Sequence, residues 1–241
     1  RAQFEELGLV VEHLRQLDPQ RVAYINLLPD YISAEALGTT TYAEHVDQFV
    51  AVVRPSLLSV DYYPFRVDGD RDSFFANLAV IRDRALRAGL PWLLIVQALP
   101  HGPYRDPTPA ELAWQVHHGL AFGARAISYF TYWTPVRVPH AERWNFRRGL
   151  VEHGVATDKL AAVAALNASA RAIAGQLDDF RSIAVLDAAG RFGTPPPLPP
   201  VAAIGGGDAT LGLFAAADGR RAGLLVNRDY RAARTLRVVP T

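Results

Sequence analysis

The sequence predicts an α/β protein, the C-terminal half (strands 5–8) of a (β/α)8 TIM barrel over residues 1–178, followed by a small accessory β domain over residues 179–241. Three observations carry this. Strand-sized apolar runs alternate four times with helical stretches, and polar and aromatic residues gather where those runs end. No G-x-G-x-x-G or phosphate-loop motif follows any of them, so the usual nucleotide-binding mark of an open, doubly wound sheet is missing.

The strands are Val22–Leu28, Leu57–Tyr63, Trp92–Ala98 and Ile127–Trp133, near-continuous apolar runs suited to parallel strands buried on both faces. Helices are expected at 3–17, 42–54, 73–88, 109–122 and 157–177. Phe74, Leu78, Ile81 and Leu86 recur at helical spacing, with Arg82, Asp83 and Arg87 on the wet side. Asp18-Pro19, Arg54-Pro55 and Gly89-Leu90-Pro91 punctuate the helix ends. Thr108 caps the helix opened by Pro109, with Glu111 three residues on. Four β-α units are half of what a barrel of roughly 200 residues or more requires. The chain also opens inside a helix and contains no Met, which predicts a fragment or processed product. Its open sheet edges call for a missing N-terminal half or a self-association partner.

Past residue 178, short β-like pieces at Ser182–Leu186, Leu211–Ala215 and Ala222–Val226 are separated by Gly- and Pro-rich connections. Asp218-Gly219 reads as a hairpin turn. Thr194-Pro-Pro-Pro-Leu-Pro-Pro200 reads as a stiff linker or surface loop in preference to an SH3-type ligand.

Composition excludes several classes. Half of the residues are hydrophobic and the formal charge is +1, which builds a core but attracts neither nucleic acid nor an anionic membrane. The longest apolar runs are strand-sized, too short to span a bilayer. The absence of cysteine excludes disulfides and thiolate chemistry without setting the compartment. Seven histidines show no metal-ligand spacing and no G-x-S-x-G occurs, so neither cofactor nor metal is expected.

Asp61 is the candidate catalytic residue. It ends an otherwise apolar strand, where a carboxylate is paired, hydrogen-bonded or kept for chemistry. The plainer reading is an Asp that holds an Arg or backbone amides at the barrel mouth. Asn26 offers an amide to sugar hydroxyls from the preceding strand, and His101, following Gln97, can donate to a substrate oxygen. Aromatic rings supply stacking faces for sugars. Tyr62, Tyr63, Tyr104, Tyr129 and Trp144 stand on or just after strand ends, with Tyr132 and Trp133 the better platforms.

Four stretches resemble the family 42 glycoside hydrolases, β-galactosidases of the large retaining barrel clan. Ser59-Val-Asp-Tyr-Tyr-Pro64 is similar to their S-W-D-x-Y-P sixth strand, and Pro91-Trp-Leu-Leu-Ile-Val-Gln-Ala98 to their P-W-L-L-M-E-Q-A seventh. Gly123-Ala-Arg-Ala-Ile-Ser-Tyr-Phe-Thr-Tyr-Trp133 resembles the eighth, G-A-D-x-x-x-F-F-Q-W-R, and Gly149-Leu-Val-Glu-His-Gly154 the segment after it. The resemblance covers residues 57–177 and leaves 1–56 poorly matched. It implies a catalytic nucleophile where this chain has Val96, a general acid upstream of Arg1, and a rim Trp matched by Tyr132. Glycoside hydrolysis ordinarily needs two carboxyl groups. Three readings follow: a divergent hydrolase of oligosaccharides or polysaccharides using Asp61 as base or nucleophile, substrate-assisted chemistry, or a barrel that binds carbohydrate without cleaving it.

Overall fold

Four strands pair in chain order into one sheet: β1 (Asn26–Leu27), β2 (Leu58–Tyr62), β3 (Trp92–Gln97) and β4 (Ala126–Phe130). The β1–β2 and β2–β3 pairs are parallel, with Asn26 opposite Ser59 and Asp61 opposite Ile95. A doubly wound sheet reverses its strand order at a switch point. Here the order runs without reversal, as along a stretch of barrel. The structure is a computed structural model and describes residues 2–136, 141–187, 203–205 and 207–239. They fall into two units, Arg1–Val96 with Ala124–Ser128, and Gln97–Gly123 with Tyr129–Thr241.

The first unit carries α1 (Ala2–Leu17), α2 (Ala34–Leu37), α3 (Tyr42–Val53) and α4 (Phe74–Ala88). A capping box starts α3: Thr41 accepts from the Glu44 amide, and the Glu44 carboxylate accepts from the Thr41 amide. Pro55 stops it, leaving Arg54 in the left-handed region at the C-cap. Gly89 closes α4 in the same conformation. Val46, Phe49 and Val53 of α3, Leu78, Ile81 and Ala85 of α4, and Leu58 and Val60 of β2 are all buried. The helix α3 packs on α1 and α4, and α4 packs on β2.

Two predicted strands are shorter than their apolar runs. Val22–Leu28 contracts to β1, and Val22, Tyr24 and Leu28 are exposed. As an edge strand β1 pairs only where Ser59 and Val60 lie opposite it. Ile127–Trp133 ends at Phe130 because the chain turns at Thr131, leaving Trp133 only an isolated bridge to Val151.

The second unit contains α5 (Pro109–Ala121), α6 (Ala141–Trp144), the hairpin β5 (Val151–Glu152) and β6 (Val155–Ala156), and α7 (Asp158–Gln176). Its remaining strands are β7 (Phe180–Asp187), β8 (Ala203–Gly205), β9 (Ala209–Ala216), β10 (Arg221–Asn227) and β11 (Arg237–Val239). The expected Thr108–Glu111 capping box starts α5 with Pro109 in its first turn. An antiparallel sheet runs β10-β9-β7, and β8 pairs with β11. Asp218-Gly219 turns the chain between β9 and β10, as expected. Phe180, Phe214 and Ala216 form one buried cluster of this sheet, and Ala184, Leu211 and Leu213 another. The helix α5 packs against β9, β10 and α7. The proline stretch Thr194–Pro200 lies outside the described residues.

Candidate functional site

The strand β2 is buried at Leu58, Ser59, Val60 and Tyr62 and delivers a partly buried Asp61 near its C-terminal end. Ser59 Oγ donates to Asn26 Oδ1 at 2.9 Å, and Asn26 Nδ2 donates to Asp61 Oδ1 at 2.6 Å. The amide of Asn26 is thereby oriented, and one of its two N–H donors engages the Asp61 carboxyl, while the residue itself stays exposed. Burial raises the Asp61 pKa, while hydrogen bonds from Asn26 and Tyr63 pull it back.

A second carboxyl stands in the same unit, three residues beyond β1. Asp30 Oδ1 accepts from Ser73 Oγ at 3.3 Å, and that hydroxyl also lies 2.7 Å from the Tyr62 hydroxyl. Burial pushes the Asp30 pKa up to about 6, against the Ser73 hydrogen bond and the Arg71 charge, which lower it. Ser73 occupies the N-cap of α4, yet its side chain makes no cap hydrogen bond. Tyr62, expected to touch substrate, is buried and packs edge-on against Tyr31 and Phe74.

The Tyr42 hydroxyl and both polar atoms of the Asn77 side chain are buried without a hydrogen-bond partner. Burial drives the Tyr42 pKa up, and the charges of Asp30 and Asp61 add to the rise. Asn77 lies near enough to ease it, although no hydrogen bond of proper geometry joins the two.

In the second unit Gln97 and His101, expected to meet substrate, are buried. Gln97 Nε2 donates to the Arg105 carbonyl at 2.7 Å, and its backbone exchanges hydrogen bonds with the Gln115 amide. His101 packs among Tyr104, Phe130, Trp144 and Phe146. Burial lowers its pKa to about 4, so the ring is neutral at pH 7. Tyr104 is buried, and Tyr129 donates to Asn167 Oδ1 at 2.7 Å. Tyr132 and Trp133 remain 58% and 52% exposed, and Trp144 37%. The Trp144 carbonyl accepts from Gly102 N at 2.6 Å, and any Cβ at Gly102 would strike the indole.

Lys159, 4% exposed in its side chain, donates to the carbonyls of Ala98 and Arg148 and pairs with Asp106. Arg148 binds the other Asp106 oxygen at 2.8 Å. This buried, fully engaged lysine ties together the segments that follow β3 and β4, and nothing local in the sequence marks it.

Val96 is 0% exposed in β3, opposite Tyr62 of β2. No carboxylate replaces it at that position. Among the described residues no group of three or more His, Asp or Glu side chains is arranged to hold a metal, and no helix is long and apolar enough to cross a membrane.

No protein-family model matches the sequence, and no curated protein matches it. Among solved structures the chain is similar to the endo-β-1,4-mannanase from Thermotoga petrophila, with 9% identity and a TM-score of 0.41 over 93% of this chain. The chain spans 60% of that mannanase's length. A likeness at this score assigns neither fold nor chemistry.

Proposed function

We propose that this is a glycoside hydrolase-like protein that acts on glycosidic bonds of an oligosaccharide or polysaccharide, with Asp61 as its base or nucleophile. In this reading residues 1–178 are half of a (β/α)8 barrel related to the family 42 enzymes, and 179–241 an accessory β domain. The observation that carries the proposal is the Asp61 carboxyl. It sits near the C-terminal end of a parallel strand, where barrel enzymes collect their chemistry, and Asn26 orients it while burial raises its affinity for a proton. Perturbed carboxyls cluster at functional sites.

Conversion of Asp61 to Asn is expected to lower turnover on a cleaved glycoside by about 100-fold or more, with the folded state intact by circular dichroism. Near-normal turnover in that variant removes Asp61 from the mechanism.

A second reading has its own observation. Val96 can neither attack an anomeric carbon nor move a proton, while Tyr132 and Trp133 present exposed rings. A carbohydrate-binding barrel that cleaves nothing needs only such faces. It predicts that Tyr132→Ala or Trp133→Ala weakens oligosaccharide binding in calorimetry by about 1–2 kcal/mol, the scale of an aromatic contact, with no hydrolysis by either protein.

A further inference from the structure

We propose that Asp30 is the second catalytic carboxyl of this centre, the proton donor that works opposite Asp61. The assignment rests on the hydrolase reading above and replaces an acid supplied from upstream with one already in the chain.

The argument starts from topology. The two carboxyls follow neighbouring parallel strands on the same side of the sheet: Asn26 pairs with Ser59 and Leu27 with Val60, so Asp61 lies one step beyond the ladder and Asp30 three. The helices after those strands begin on that side too. Tyr42 opens α3, and Asn77 lies in the first turn of α4. Both side chains are more than nine-tenths buried, Asn77 lies within reach of the Tyr42 hydroxyl without a well-formed hydrogen bond between them, and both carboxyl charges reach that hydroxyl. Buried polar side chains so loosely paired beside two carboxyls suit a polar centre better than a packed core.

The partners of each carboxyl separate their roles. Asn26 can only donate toward Asp61 through its amide nitrogen, at 2.6 Å, which favours the ionised form. Asp30 accepts a long hydrogen bond, 3.3 Å, from a serine hydroxyl that can give its proton to Tyr62 instead, and burial outweighs the Arg71 charge that favours its ionised form. Asp30 therefore keeps its own proton more readily. Ser73 stands there without the side-chain hydrogen bond that an N-cap serine ordinarily makes.

In the proposed step Asp30 gives its proton to the glycosidic oxygen as that oxygen's bond to the anomeric carbon breaks. The oxygen of a water molecule bonds to the anomeric carbon, and Asp61 takes the proton that the water releases. One water is consumed, each product carries a hydroxyl at the cleaved position, and the proton returns from Asp61 to Asp30 through solvent.

The test compares the full chain with Asp30→Asn and Asp61→Asn on paired phenyl and 2,4-dinitrophenyl glycosides of glucose, galactose, mannose and xylose. A phenolate leaves only with a proton, whereas dinitrophenolate leaves unaided. Asp30→Asn is expected to slow the phenyl substrate by about 100-fold or more and the dinitrophenyl substrate by less than about 5-fold, while Asp61→Asn slows both. An equal effect of Asp30→Asn on the two substrates, or none on either, overturns the assignment. If the unaltered chain cleaves no member of the series, the hydrolase reading falls, and carboxyl carbon NMR decides the pair. An Asp30 midpoint near 6 that moves downward in Asp61→Asn supports two coupled groups; an ordinary midpoint, unmoved by that substitution, removes the pairing.

Discussion

At the scale of single residues, the two units respond to pH in opposite directions. Asp30 has a folded pKa of about 6 against 3.8 for the free group. Its native state therefore binds more protons, and its contribution to stability is present below the lower value and lost as pH rises through the higher one. Asp30→Asn is expected to stabilise the protein at pH 7.5, by on the order of 1–2 kcal/mol after allowance for solvent screening, and to leave it unchanged at pH 3.5. Urea titrations at the two pH values measure the difference, and a stability loss at pH 7.5 contradicts a carboxyl that burial strains. The histidines act the other way. His101 and His118 are held neutral by burial, with pKa values lowered to about 4 and about 3, so their contribution is present above 6.5 and lost as pH falls. His101→Phe is expected to flatten the decline of stability between pH 6.5 and 4. Carboxyls and imidazoles are visible in a sequence, but the sign of each shift comes from burial and neighbours.

At the scale of elements, the sheet of the second unit lies against α5 through a glycine. A Cβ on Gly212 would run into the Ala121 carbonyl at the end of that helix, and backbone at a helix end has little freedom to yield. Gly212→Ala is expected to cost about 2–4 kcal/mol, within the range of overpacked positions, whereas Gly154→Ala, with open space around it, pays mainly for its left-handed backbone. Thermal melts of the two variants separate steric conflict from backbone strain; equal small losses would mean that the sheet and α5 part easily. Helix boundaries were legible because their causes are local. Thr108 and Glu111 are three residues apart, and Arg54-Pro55 are adjacent. Strand ends were less legible, because an apolar run such as Val22–Leu28 becomes strand only where another strand lies beside it.

At the scale of the whole molecule, the first unit carries uncovered apolar surface. Leu9, Val10, Leu14 and Leu17 of α1 are exposed, as are Val22 and Tyr24 before β1, itself an edge strand. Several exposed apolar side chains on one helix suit an interaction surface, and open strand edges recruit further strands. The proposed occupant is the complementary half of the barrel or, for this chain alone, a second copy. Sedimentation of the 26.4 kDa chain is expected to show association that grows with concentration, reduced by Leu9→Glu with Leu14→Glu. A monomer at every concentration, indifferent to that double substitution, argues against either partner.

The alternation of strands and helices, the capping boxes, the β9–β10 turn and the carboxyl ending β2 were all determined by the sequence itself, because each depends on residues within a few positions of one another. The surroundings of that carboxyl were decided only by tertiary structure. Asn26 reaches Asp61 across 35 residues, Ser73 reaches Asp30 across 43, and Lys159 reaches the Ala98 carbonyl across 61. Parallel strands are joined through an intervening helix, so the residues that meet at their ends come from separate β-α units and no local periodicity records their pairing. Asp30 was in plain view beyond the first strand, yet what distinguishes it, its burial, the Ser73 hydroxyl and the nearby Tyr42, exists only once α3 and α4 have packed.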